Sequence, residues 1–334
     1  MALAGGKAAV AGKGPIVYLA GQAPVAQLDR ALPSEGKGRT FESSRARHTS
    51  RKDSSLPAPA SLPFSHEDGA IPILGFGTSP MTGGLDAQTV LTALKAGYRH
   101  IDTGRKYGTE GAVGEAIRMS GIARDEIFVT TKVSHENLRA GDFARSVEQS
   151  LTALELDTVD LLLVHWPNPA IPLGETMTAL AKAKREGLAR HIGVANFNIA
   201  LIEQVIALCA EPLVALQAEY HPYLEQTKLL AAARRHGLVY VAYCPLARGR
   251  LFGDPVLSEI AQARGRSVAQ IALRWLVQQN VAAIPFSSQP QRIADNLAVF
   301  DFALSDEEMA RIATLKRADG RVANPVGRVP GGWD

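Results

Sequence analysis

Gly75-Phe76-Gly77-Thr78-Ser79-Pro80 decides between two ways of building an α/β chain. A dinucleotide-binding turn reads Gly-x-Gly-x-x-Gly at the end of a first strand and opens straight into a helix. Here Pro80 stands where the third glycine belongs, so a doubly wound nucleotide-binding sheet is not supported. Working outward, 73–77 is the first of a series of short apolar runs, followed by 98–102, 127–132, 159–165, 189–195, 214–219, 239–243 and 281–285. Segments with apolar residues at helical spacing lie between them, over 88–96, 110–120, 143–154, 176–186, 199–209 and 228–235. Eight strands alternating with helices predict an α/β fold of the (β/α)8 TIM barrel type. Ahead of the first run, 64–71 carries Asp68-Gly69 between short apolar pieces, which predicts an N-terminal hairpin. An extra helix over 267–279 precedes the eighth run, and extra helices are expected near the C-terminal end.

At 334 residues and 46% hydrophobic content, the chain can bury one large core. No stretch reaches the roughly 18 uninterrupted apolar residues of a membrane span. Two cysteines, Cys209 and Cys244, argue against a disulfide framework and suit a reducing, cytoplasmic setting. The formal charge of +3 is unevenly distributed: residues 1–60 hold nine Lys/Arg against four Asp/Glu, and the rest holds 27 against 29. The regular part is therefore slightly acidic, and neither a nucleic acid nor a membrane is expected as its partner.

Residues 1–60 are rich in Gly, Ala, Ser and Arg and have no sustained helical or strand period, so a disordered leader is expected there. Val25-Ala26-Gln27-Leu28-Asp29-Arg30-Ala31 back-translates to a string resembling a tRNA D-arm, and Phe41-Glu42-Ser43-Ser44 to one resembling a TψC arm. This reads as a tRNA gene translated through a start codon assigned too far upstream. The folded domain is expected over 62–334.

The strand ends carry the chemistry. Ile101-Asp102-Thr103-Gly104-Arg105-Lys106-Tyr107-Gly108, Val129-Thr130-Thr131-Lys132 and Leu163-Val164-His165-Trp166-Pro167 each run from apolar residues into ionisable ones. In a parallel barrel these C-terminal ends converge on the face where such barrels react. Tyr107 suits a proton donor if a cation lowers its pKa from about 10. Lys132 can supply that charge, Asp102 can hold Lys132, and His165 can orient a substrate oxygen. His100, His191, His221 and His236 have no metal-ligand spacing, so no metal is expected.

From about residue 62 onward the chain resembles the aldo-keto reductase superfamily, and in particular its bacterial 2,5-diketogluconate/methylglyoxal reductase-like branch. The motifs carrying the resemblance are Gly97-Tyr98-Arg99-His100-Ile101-Asp102-Thr103 with Tyr107-Gly108, Thr131-Lys132, His165-Trp166-Pro167, Gly193-Val194-Ala195-Asn196-Phe197, Gln217-Ala218-Glu219-Tyr220-His221-Pro222 and Ala242-Tyr243-Cys244-Pro245-Leu246. The resemblance implies NAD(P)H-dependent reduction of small aldehydes and ketones, with Asp102, Tyr107, Lys132 and His165 as catalytic tetrad and Tyr107 as general acid. It implies that Asn196 and Gln217 hold the nicotinamide carboxamide, that Tyr243 stacks on the ring and that Leu246 contacts the pyrophosphate. Ser287, Arg292, Asp295 and Asn296 would contact the adenosine end, with Arg292 near the 2′-phosphate. Ser79, Ser134 and Trp166 would line the substrate pocket.

Three departures from the family pattern bear on specificity. Phe286 replaces a phosphate-facing Lys, so NADPH is expected with some use of NADH. Ala195 replaces a Ser beside Asn196 and removes one hydrogen bond of about 1 kcal/mol. Ser79 and Ser134 replace aromatics, which implies a wider or more polar mouth, and the short segment 168–174 after the fourth run together with the brief tail over 324–334 is expected to leave the pocket open. A monomer acting on a small carbonyl substrate is expected. The alternative is a barrel that binds the cofactor as a sensor or accessory protein with little turnover.

Overall fold

The computed structural model describes residues 61–79, 84–325 and 327–334; the leader and its proposed origin lie outside these residues. Strands β1 (Ser61–Pro63) and β2 (Ala70–Pro72) form the expected antiparallel hairpin, with Phe64 N–H donating to the Gly69 carbonyl at 3.0 Å. Eight parallel strands follow: β3 (Phe76–Gly77), β4 (His100–Asp102), β5 (Phe128–Val133), β6 (Val159–Val164), β7 (Ala189–Ala195), β8 (Leu213–Glu219), β9 (Val239–Tyr243) and β10 (Ala282–Ala283). They pair in sequence order from β3 to β10. The ends of that row also meet. Leu74 bridges Ala283 in parallel, Gly75 N–H donates to Ala283 O at 2.9 Å and Ala283 N–H to Ile73 O at 2.8 Å, so the barrel closes.

Helices α1 (Ala87–Ala96), α2 (Glu110–Ser120), α3 (Ala140–Leu154), α4 (Leu173–Arg185), α5 (Ile199–Leu208) and α6 (Thr227–Arg235) fill the crossovers where helical spacing predicted them. Helices α7 (Pro255–Arg264) and α8 (Val268–Val277) precede β10, and α9 (Pro290–Leu297) and α10 (Asp306–Ala313) follow it. Local signals set their starts: Asp86, Asn198 and Asp254 accept backbone N–H groups at the first turns of α1, α5 and α7, and Ser267 and Ser305 complete capping boxes.

Strand alternation divides the apolar side chains into two cores. Ile101, Val129, Leu162, Val164, Ile192, Val194 and Leu216 face outward into the layer shared with the helices. Leu161, Leu163, Val241, Ala282 and Ile284 face inward, where they pack with Phe64, Ile71 and Ile73 of the hairpin region. Each fully buried Leu or Ile contributes about 1.5–3 kcal/mol. Gly193 is needed where β7 meets β8, because a Cβ there would come within 2.5 Å of the Ala215 carbonyl oxygen. The hairpin covers the N-terminal end of the barrel, with the Phe64 ring 6.4 Å from Phe128 and 4.6 Å from His191. The opposite end is left for chemistry. Among the described residues no helix is long and apolar enough to cross a membrane.

Candidate active site

The same two-residue period that puts Ile101 and Val129 outward puts Asp102 and Lys132 inward at the C-terminal ends of β4 and β5. Lys132 is completely buried, and its Nζ donates to Asp102 Oδ1 at 2.5 Å and to the Thr103 carbonyl at 2.6 Å. Asp102 Oδ2 accepts from Gln217 Nε2 at 2.7 Å. A buried ammonium is tolerable only with such partners. Burial pulls the Lys132 pKa down, but Asp102 and then Tyr107 outweigh it and hold the group above its ordinary value, so it stays charged.

Tyr107 ends a short 3-10 turn, Arg105–Tyr107, and Gly108 takes the left-handed conformation (φ 69°) that stops the turn there. Gly104 leaves room for the phenol, since a Cβ there would lie 3.3 Å from the ring. Lys132 Nζ is 5.1 Å from the centre of the Tyr107 ring. This cation acts on the phenol pKa in the expected direction, but it does not decide the net shift. Burial pushes the pKa up, and Lys132 offsets only part of that rise, so Tyr107 keeps its proton. Tyr107 Oη sits 3.3 Å from His165 Nε2, and the two rings meet edge to face at 5.4 Å. Burial, then Lys132, lower the His165 pKa to about 3, so the imidazole is neutral at physiological pH.

Three of the residues assigned to the nicotinamide adjoin this cluster. Gln217 touches Asp102 directly, Asn196 Nδ2 donates to the His165 carbonyl at 2.9 Å, and Tyr243 Oη donates to Asn196 Oδ1 at 2.8 Å. Asn196 itself holds φ 65°, a strained setting for a non-glycine residue, kept by these bonds. Leu246 is half-buried in the loop after β9, where Cys244, Ala247 and Arg248 also take positive φ. Such strain clusters at ligand clamps. Cys244 is half-buried rather than fully packed; burial raises its thiol pKa, and Arg248, a loop cation that sequence reading passed over, offsets part of that rise. Further round, Ser287 Oγ accepts from Gln289 N–H at 3.1 Å, and the Asp295 carboxylate accepts from Gln291 at 2.7 Å. Arg292 is exposed on α9, and Asn296 beside it is buried.

The pocket residues fare unevenly. Trp166 is buried beside His165. Ser79 is exposed just past β3. Ser134 is buried and its hydroxyl donates to Glu136, which also pairs with Lys106, so its polarity is used at the rim. The tail, expected to stand clear, folds back onto one wall of the site, setting Trp333 edge-on to Trp166 at 6.0 Å and the Arg328 guanidinium 5.9 Å from the Trp166 ring. A tryptophan in a Gly/Pro-rich terminus was the only signal for this. Among the described residues no group of His, Cys, Asp and Glu could hold a metal ion.

Comparison with known proteins identifies the family of the chain. The Aldo/keto reductase family pattern matches residues 74–317. Methylglyoxal reductase DkgB of Escherichia coli O157:H7 is 40% identical over 268 residues, spanning 79% of this chain and all of the relative. A crystal structure provisionally named 2,5-diketo-D-gluconic acid reductase B superposes with a TM-score of 0.76 at 46% identity, over 79% of this chain and 94% of that one. A Bombyx mori aldo-keto reductase solved in complex with NADP superposes with a TM-score of 0.75 at 32% identity, over 81% and 96%. With that match across most of its folded length, the chain belongs to the aldo/keto reductase family.

Proposed function

We propose that the protein reduces small aldehydes and ketones, of dicarbonyl or keto-sugar type, to alcohols with NADPH, and that Tyr107 is the general acid. The observation that carries this reading is the buried Asp102–Lys132 pair beneath a protonated Tyr107 whose hydroxyl faces His165. Tyr107 Oη gives its proton to the carbonyl oxygen as negative charge develops there. Lys132 Nζ then stabilises the tyrosinate, and Asp102 keeps Lys132 aimed. Neutral His165 orients the substrate oxygen through Nε2 without competing for the proton. Trp166 would form one wall of the substrate pocket beside that oxygen.

The donor set fits a nicotinamide dinucleotide. Asn196 and Gln217 would hold the carboxamide, and Gln217 Oε1 makes no hydrogen bond among the described residues. Tyr243 would face the ring, Leu246 the pyrophosphate, and Ser287, Arg292, Asp295 and Asn296 the adenosine end. When bound, the cofactor supplies the hydride. Arg292 offers the fork that a 2′-phosphate takes, which favours NADPH. Phe286 packs at 6.0 Å from Phe76 and offers no second cation, which leaves room for NADH. A cytoplasmic monomer accords with the two cysteines and the modest net charge.

The test is NADPH consumption at 340 nm with methylglyoxal, 2,5-diketogluconate and aromatic aldehydes. Turnover on a dicarbonyl is expected. Tight NADPH binding with no turnover on any of them would favour a cofactor sensor instead.

A further inference from the structure

Glu219 is a completely buried carboxylate at the C-terminal end of β8, two residues beyond Gln217 on the same inward face, and it takes no part in the proton path above. A buried carboxylate is costly unless its oxygens accept hydrogen bonds. Its donors come from the other end of the chain. Val322 N–H donates to Oε1 at 2.6 Å and Ala323 N–H to Oε2 at 2.8 Å, while His221 Nε2 lies 2.9 Å from Oε1. Beyond that bolt the tail turns back: Arg321 stacks 3.7 Å over the Trp333 ring, and Trp333 Nε1 donates to Asn324 Oδ1 at 2.9 Å. Asn198 holds the far end. Its Oδ1 caps α5, and its Nδ2 donates to the carbonyls of Pro330 and Gly332, both at 2.9 Å. Immediately beyond that second anchor Trp333 is set edge-on against Trp166, the neighbour of His165.

We propose that Glu219 is a positioning residue for the carbonyl substrate. It fixes Val322 and Ala323, thereby fixes Trp333 against Trp166, and so sets the wall beside the Tyr107–His165 pair. The proposal rests on the reductase reading for its kinetic arm alone, because the placement of the tail can be read without turnover.

Glu219→Gln keeps the shape of the side chain but presents an amide where two backbone donors need acceptors. Hydrogen exchange followed by mass spectrometry should then show peptides from 320–334 exchanging about tenfold faster, with peptides from β4 to β6 unchanged. With methylglyoxal, KM should rise about fivefold or more, while kcat and NADPH Kd stay within about twofold. Trp333→Ala should raise KM similarly, and the Glu219→Gln/Trp333→Ala double variant should be no worse than Trp333→Ala alone. If Glu219→Gln does not fold, Asn198→Ala releases the other anchor and the same pattern is expected of it. Unchanged exchange in the tail overturns the proposal. So do KM effects that multiply in the double variant, or a loss that falls on kcat or on NADPH affinity. A wild-type protein without turnover would sink the reductase reading and leave the exchange experiment to decide the anchoring.

Discussion

The two ends of the barrel handle buried charge in opposite ways. At the N-terminal end, Asp160 accepts from Arg124 at 2.7 Å, from Arg190 at 2.9 Å and from Val129 N–H at 2.8 Å. Nearby, Glu67 of the hairpin turn pairs with both Lys184 and His191. Those carboxylates are saturated. At the C-terminal end, Asp102 and Lys132 saturate each other, but the groups around them stay open: the Tyr107–His165 contact is long at 3.3 Å, and His165 Nδ1 is buried with no partner among the described residues. Native proteins leave few buried polar atoms unpaired, and those they leave tend to mark function. Unpartnered atoms occur at the other end too, His100 Nδ1 and Arg124 Nε among them, so what divides the ends is the use of their carboxylates. Asp160 and Glu67 tie elements together, while Asp102 holds the lysine behind a phenol and an imidazole, as barrels divide stability from chemistry generally.

Substitutions on the two ends should therefore separate in kind. Lys132→Met leaves Asp102 buried without its cation and removes the charge behind Tyr107. Loss of kcat by about a thousandfold is expected, within the range of general acid catalysis, together with about 3–5 kcal/mol of stability by urea unfolding. Normal turnover by a folded Lys132→Met protein would break the contrast. Asp160→Ala at the other end strands Val129 N–H and two guanidinium groups; it should cost about 2 kcal/mol of stability and leave kcat and KM alone. A kinetic defect there, measured on folded protein, would show that the ends are not independent.

Acid should bear on both ends alike. Burial, as the largest cause, lowers the pKa of His100, near the N-terminal end, to about 4 and that of His165 to about 3, against an ordinary value of 6.5. Below pH 6.5 the unfolded chain takes up protons that the folded chain refuses. This share of the stability is complete above that pH and declines as pH falls towards about 4. His100→Gln removes one such proton, so its unfolding free energy should fall less steeply than wild type, by up to about 1.4 kcal/mol per pH unit between pH 6 and 5. Identical slopes would mean that His100 is already charged when folded. The smallest effect is expected at the cofactor end, where Phe286→Lys should raise kcat/KM for NADPH over NADH by about tenfold, the value of one added phosphate contact. If wild type already prefers NADPH several thousandfold, Arg292 suffices without that Lys.

Much of this was legible in the sequence because barrel strands announce themselves. The stretches 161–164 and 192–195 are apolar on both faces, and an inward Asp102 or Lys132 at the end of such a run has few explanations other than function. The first and last strands were less distinct, being only two residues long, because closure depends on the Leu74–Ala283 bridge between distant segments. Local pattern could not show the tail crossing back to Trp166, which depends on a Glu219 contact made across about a hundred residues. Nor could it show that Ser134 spends its hydroxyl on Glu136, or that burial outweighs Lys132 at Tyr107.

The claim most exposed to test is that Tyr107 delivers the proton. Tyr107→Phe keeps the ring against Lys132 and removes only the hydroxyl, so NADPH affinity measured by fluorescence titration should match wild type. NADPH oxidation at saturating methylglyoxal should then fall by about a hundredfold or more. Wild-type kcat in a Tyr107→Phe protein that binds NADPH normally would contradict the account.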